Sequence, residues 1–177
     1  MFFIELGDNI MTNLQTQNSY KAESLAERIL KGANSLASFV EGLSDSDWKI
    51  PVYGDGRTVG VVVHHVASTY PLEVELAQVL ASGNPIKEAT MKVVDQMNAD
   101  HAMENKDVQK HEALELLERN SKFAADSVRT FTDEELENSA TVSLYADAPL
   151  TAQFFIKDHA LRHSFHHLDR IKETLNK

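Results

Sequence analysis

An all-α, antiparallel four-helix bundle is the fold class this sequence predicts, and three observations predict it. Apolar residues recur at helical spacing in four long stretches. Glycine, proline and capping residues break the chain between them. A 42% hydrophobic content over 177 residues is enough for one core. A shorter helical segment between the second and third long stretches adds an extra short helix.

The first long helix should open at Tyr20, place Leu25, Ile29, Leu36, Phe39 and Val40 on one face, and stop near Gly42. Leu43 to Trp48 then leads into Pro51, Gly54 and Gly56, which forbid continued helix. The second should begin near Arg57 or Thr58 and end at Ala81, before Ser82-Gly83-Asn84-Pro85. Its run V-G-V-V-V favours a strand locally. The stripe of Val59, Val62, Val63, Val66, Tyr70, Val74, Ala77 and Leu80 keeps helical phase for much longer and outweighs that preference. Pro71 lies inside this helix, removes one backbone hydrogen bond and should kink it one turn after the histidine pair.

Residues 87–104 form the shorter helical segment. A third long helix spans Val108 to Thr130, with Leu114, Leu117, Phe123 and Val128 as core candidates. Thr132 and Glu135 follow in capping-box register. This turn echoes Leu43 to Trp48 after the first helix, an echo that convergent turn chemistry accounts for without internal duplication. Residues 137–149 should be a loop, and the fourth helix should run from Leu150 to Leu175. Residues 1–19 read as an N-terminal extension, with Met11 as an alternative start, and residues 20–177 as the bundle domain.

Composition removes several function classes. With no cysteine there is no disulfide, no thiolate zinc site and no cysteine nucleophile, so histidine and carboxylate are the strong metal ligands left. A formal net charge of −10 without a basic cluster argues against nucleic-acid binding. No apolar run approaches the roughly 20 residues of a membrane span. The N-terminus lacks the basic flank of a signal peptide, so a cytoplasmic protein is expected.

Half of the eight histidines, His159, His163, His166 and His167, lie together on the fourth helix, and His64-His65 sits early on the second. Histidines four apart are stacked about 5.4 Å apart on one helical face, close enough to share one divalent ion. At about 100° per residue, Leu161, Phe165, Leu168, Ile171 and Leu175 mark the apolar centre of the fourth helix. His163 and His167 then fall toward one edge of that stripe. His159 and His166 fall nearly opposite and should be surface residues. His64 and His65 straddle the stripe of the second helix, and the wheel does not choose between them. His101 and His111 are expected to be solvated.

The order Trp48, then G-R-T-V-G-V-V-V-H-H-V-A, then M-N-A-D-H-A, then H-S-F-H-H-L-D-R-I resembles the DinB/YfiT-like superfamily from about residue 20 onward. The resemblance implies an up-down-down-up bundle, commonly a homodimer. It also implies a divalent metal held by a second-helix histidine followed by two apolar or small residues and by two i, i+4 histidines of the last helix. Those positions match His65, followed by Val66-Ala67, and His163 and His167. Where many members carry H-x-G-Q-I, this chain has His167-Leu168-Asp169-Arg170-Ile171, which leaves the ligand positions intact and departs from any one subgroup.

The expected function is therefore a metal-dependent enzyme with zinc or nickel on His65, His163 and His167, in which an open position activates water or a thiol. The resemblance extends to thiol-dependent S-transferases and a mycothiol-dependent maleylpyruvate isomerase, and so implies a small-molecule substrate or cosubstrate that includes a low-molecular-weight thiol. A hydrolase is the close variant. A non-catalytic dimeric bundle with a structural or vestigial metal site is the alternative. Asp100, His101 and Tyr145 are candidate substrate or supporting contacts.

Overall fold

The computed structural model describes residues 19–177. The predicted extension and the alternative start at Met11 lie outside the described residues, except for Ser19, whose hydroxyl caps the first helix by accepting from the Ala22 amide.

In chain order the elements are α1 (Tyr20–Glu41), α2 (Asp45–Trp48), α3 (Val59–Ala81), α4 (Met91–Glu104), α5 (Lys110–Arg129), α6 (Asp133–Glu137), β1 (Ser139–Val142), β2 (Ala148–Thr151), α7 (Ala152–Ile156) and α8 (Arg162–Leu175). A single π turn, Lys157–Leu161, joins α7 to α8, so the fourth bundle helix is α7, the π turn and α8 in succession. The valine run is helical, and every residue assigned to the α3 stripe is buried. The capping boxes at Ser44/Asp47 and Thr132/Glu135 both form, one device used twice to open short helices.

Polar cross-links fix the helix directions. Arg129 near the end of α5 pairs with Glu23 near the start of α1, so these two run antiparallel. The Trp48 indole, just ahead of α3, donates to the Val108 carbonyl just ahead of α5, and Asn120 of α5 donates to Ala67 of α3, so α3 and α5 run parallel. Tyr70 of α3 meets Ser164 of α8 at 2.6 Å, while the Tyr53 amide ahead of α3 donates to Thr174 at the far end of α8. The order is up-down-down-up. Its parallel central pair is possible because the connection between α3 and α5 is long and includes α4, which carries the chain back across the bundle.

α3 runs unbroken through Pro71. Proline has no amide proton, so the Ala67 carbonyl loses its partner one turn back. Asn120 Nδ2 donates to that carbonyl at 2.9 Å and satisfies it from α5. Asn120→Ala should therefore cost about 1–2 kcal/mol, the penalty for stranding a half-buried carbonyl, read as a lower midpoint in denaturant with an unchanged slope. Gly60 is set by the same corner of the bundle. A β-carbon there would meet Trp48 Nε1 at 2.5 Å, which is why the helix places a glycine under the indole.

Three local expectations are corrected. Residues 137–149 are not a loop throughout: β1 and β2 pair antiparallel from Ser139↔Thr151 to Val142↔Ala148. The strands are short, and Ala146 and Asp147 turn at φ 53° and 59° with no glycine to announce a hairpin. Phe123 is 53% exposed, and α5 instead packs inward through Ala113, Leu117, Ser121, Ala124, Ala125 and Val128. Phe123 matched the core by hydrophobicity but not by phase. Finally, the π turn inserts about one residue into the fourth helix, a rotation of roughly 100°. A straight wheel drawn through the C-terminal part of the helix therefore misplaces residues within and before the turn, and His159, inside it, is the residue affected.

Candidate metal centre

α3 and α8 face each other antiparallel, and their inward polar residues meet in one place. His65 on α3 and His167 on α8 are buried, and His163 is half-buried. One ligand atom from each lies within 4.8 Å of the others. The ring centroids are 5.0 Å apart for His65 and His163, 5.7 Å for His65 and His167, and 4.9 Å for His163 and His167. Among the described residues this is the one group of three or more His, Asp or Glu that could hold an ion. Its neighbour His64 turns aside and is only half-buried, so the structure separates the pair that the helical wheel could not.

Two residues that the sequence reading missed complete the arrangement. Glu73 is buried, and its Oε1 accepts from His163 Nδ1 at 2.7 Å. Thr69 Oγ1 lies 3.2 Å from the same nitrogen while donating to the Val66 carbonyl. A carboxylate accepts only, so Nδ1 of His163 carries the proton and Nε2 is left as the ligand atom. The readable signal was the spacing His65, Thr69, Glu73, each four residues on, which puts a carboxylate two turns along the same face of α3. A carboxylate behind a metal-ligating histidine is a recurrent way to fix its tautomer and orientation.

The electrostatics fit a cation. Burial, then the charges of His163, Arg57 and His167, lowers the proton affinity of His65 to a pKa of about 2. Burial, then His163, His166 and Arg57, does the same to His167, with Asp55 opposing. Both imidazoles are therefore neutral at physiological pH, the state that metal ligation requires. Of the five buried side-chain nitrogen and oxygen atoms without a partner among the described residues, three belong to residues at this group: Glu73 Oε2, His167 Nδ1 and His101 Nδ1, the last on a ring 5.5 Å from that of His65. Buried polar atoms are almost always paired, so their convergence marks a place shaped around something else. The donor set, the neutral imidazoles, the Glu73 support and the orphaned His167 Nδ1 together fit a divalent ion.

The remaining histidines sort by distance from this centre. His101, expected to be solvated, is half-buried: its Nε2 lies 2.9 Å from His64 Nδ1, and its ring is 5.5 Å from that of His65. Burial, then His64 and Arg57, lowers its pKa to about 4. His159, expected on the surface, is half-buried, because the π turn rotates it inward onto Phe155, with centroids 4.2 Å apart. Tyr145 donates to Asp158 and lies 3.1 Å from His159 Nε2, so it touches the edge of the site through His159. His166 and His111 are exposed, as expected. Asp100 is exposed too, accepting from Gln96, and is not brought to the site. An open cavity of about 220 Å³, lined by Asp158, His159, Arg162, His163, His166 and His167, lies against two of the three grouped histidines.

No family model matches the chain, and no curated protein matches it. Among solved structures it matches YfiT from Bacillus subtilis, described as a probable metal-dependent hydrolase with an unusual four-helix bundle topology. The TM-score is 0.70 at 20% identity, covering 88% of this chain and 86% of that one. The chain has the YfiT fold. At that identity the shared property is the bundle itself, whose up-down-down-up order places α3 against α8 and so brings the three histidines together. Among the described residues no helix of this YfiT-like bundle is long and apolar enough to cross a membrane.

Proposed function

We propose that this chain is a cytoplasmic, divalent-metal-dependent enzyme acting on a small molecule, with zinc or nickel on His65, His163 and His167. The observation that carries the reading is the three-histidine group with a carboxylate behind it and a cavity beside it. A closed structural site has four protein ligands, whereas three with access match a catalytic one. The ion, when bound, supplies Lewis acidity, polarising a carbonyl or lowering the proton affinity of a bound water or thiol.

The chain's own residues supply the rest. Glu73 and Thr69 hold His163 in one tautomer and one rotamer. Burial of His65 and His167 keeps both unprotonated across the physiological range. Tyr70, fully buried and 2.6 Å from Ser164, ties α3 to α8 one residue from His163 and sets the spacing of the two ligand-bearing helices. The reaction is hydrolysis, or transfer to a low-molecular-weight thiol, which a cosubstrate must provide because the chain has no cysteine.

The test is elemental analysis of the purified protein followed by a screen of low-molecular-weight thiols and simple esters and amides. One equivalent of zinc or nickel per chain, with turnover in the screen, is the expected result. Protein without stoichiometric metal, and without affinity for either ion, would sink the reading. Glu73→Gln should weaken metal affinity by about 10- to 100-fold while leaving one equivalent bound at saturation, measured by competition with a chromophoric chelator.

A further inference from the structure

The cavity of about 220 Å³ beside the three-histidine group is lined by His159 together with His163 and His167, so one space reaches all three rings. Two locally costly pieces of backbone put His159 there. The π turn Lys157–Leu161 brings its ring onto Phe155, with centroids 4.2 Å apart, and single π turns recur at functional sites. Tyr145 reaches the same ring from the hairpin, at the end of a short 3-10 turn (Ser143–Tyr145) that is followed by Ala146 and Asp147 at φ 53° and 59°. Left-handed backbone at an alanine is strained, and such strain clusters where a side chain must be held in one place.

The hydrogen bonds decide where the protons sit. The Tyr145 hydroxyl has one proton and donates it to Asp158 Oδ2, a carboxylate that also accepts from Arg162 at 3.0 Å. The phenol oxygen is then left as an acceptor, and the group beside it is His159 Nε2 at 3.1 Å. In the neutral ring Nε2 therefore carries the proton, and Nδ1 holds a bare lone pair. Nδ1 has no hydrogen-bond partner among the described residues and is not one of the buried partnerless atoms, so water reaches it. Asp158 alone anchors the tyrosine, so the second contact is not needed to pin the hairpin; its effect is on the imidazole. His166 lines the same cavity, but it is exposed and no hydrogen bond among the described residues fixes its tautomer.

We propose that Asp158, Tyr145 and His159 form a relay in which His159 Nδ1 is the general base of the site, taking the proton of the water or thiol that attacks in the cavity. The O–H or S–H bond breaks toward Nδ1, and its electron pair forms the new bond to the electrophilic carbon. The bond from that carbon to the leaving atom breaks with its electron pair, which takes the proton back from Nδ1, so the relay ends as it began. In between, the imidazolium keeps its Nε2 proton on the Tyr145 oxygen while Tyr145 keeps its own on Asp158, which makes these two positioning residues. The relay deepens the function proposed above and rests on it for the reaction, whereas the tautomer of His159 stands without a metal.

The test has two arms. On metal-free protein at mildly alkaline pH, long-range proton–nitrogen correlation spectra should show His159 with Nε2 protonated and Nδ1 at the shift of a bare nitrogen. In Tyr145→Phe, which keeps the ring edge on Phe154, the two nitrogens should move toward averaged shifts. On zinc-loaded protein with p-nitrophenyl acetate, His159→Phe should lower kcat by about 100-fold or more, the usual contribution of a general base, with KM and zinc content unchanged. Phenylalanine preserves the stack on Phe155. Tyr145→Phe should lower kcat by less, in step with the fraction of wrong tautomer in its spectra, which a merely structural hydroxyl would not do. A proton on His159 Nδ1 in the wild type, or an undiminished kcat in His159→Phe, overturns the relay and leaves the metal enzyme standing. A wild type that shows the bare Nδ1 but takes up no zinc and turns over no ester would instead overturn the enzyme, and the use of His159 as a base with it.

Discussion

Protein with His167 replaced by glutamine should melt within about 3 °C of the wild type when metal-free, yet show none of the wild type's response to zinc or nickel. His167 is buried and its Nδ1 has no partner, so the substitution breaks no hydrogen bond seen in the fold. A buried polar exchange of similar volume costs on the order of 1 kcal/mol, and each kcal/mol moves the melting point of a domain of this size by roughly 2–4 °C. Metal at a hundredfold excess over its dissociation constant adds about 2.7 kcal/mol, so the wild type should gain about 5–10 °C. Loss of one ligand in three should cut affinity by roughly 100- to 1,000-fold, a share of the 10–16 kcal/mol typical of zinc sites. His163→Ala should differ in kind. It removes the partner of buried Glu73, so it should lower the metal-free melting point as well as abolish the metal response. Differential scanning fluorimetry with and without metal reads both. A zinc-induced shift that persists in His167→Gln would show that the ion binds elsewhere.

The bundle was legible because helix formation here depends on long apolar periodicity, and that signal survives local conflicts. The valines of α3 outvoted their strand preference, and the whole predicted stripe is buried. The histidines of α8 were legible for the same reason: His163 and His167 lie on the C-terminal side of the π turn, where a straight wheel still holds. His159 lies within it, and no pattern of residue types announces one extra residue in a turn. The hairpin was illegible because its turn uses alanine and aspartate at positive φ, where glycine or asparagine would have signalled it. Glu73 escaped notice for a further reason. Its role comes from burial against α8, and a buried carboxylate looks in sequence like any solvated charge. His101 was misjudged likewise, because α4 is too polar for its own periodicity to say which face meets α3.

Acid should destabilise the metal-free protein far more steeply between pH 8 and 5 than its carboxylates explain. His65 and His167 each hold a pKa of about 2 in the fold, mainly through burial, against 6.5 for the unperturbed side chain. As pH falls through 6.5 the unfolded chain takes up these two protons and the folded chain does not, so the unfolded state binds more protons and stability falls. The stabilisation is fully present above about pH 6.5 and is lost progressively below it. For two such groups the loss reaches about 4 kcal/mol by pH 5, or roughly 10 °C in melting temperature. That figure does not depend on where near 2 the folded values lie, because pH 5 is well above them. Burial also lowers His64, His101, His159 and His166, which adds in the same direction but more weakly, since solvent reaches these rings. Asp55 works in a lower window: Arg57 outweighs the cost of its burial and holds it at about 2, so its contribution is lost only as pH falls below about 4. His167→Gln should therefore remove about 2 kcal/mol of the acid sensitivity between pH 8 and 5 and none of that below pH 4. A melting curve flat from pH 8 to 5 would mean that the three histidines are not enclosed as described, and the metal reading would lose its electrostatic basis along with them.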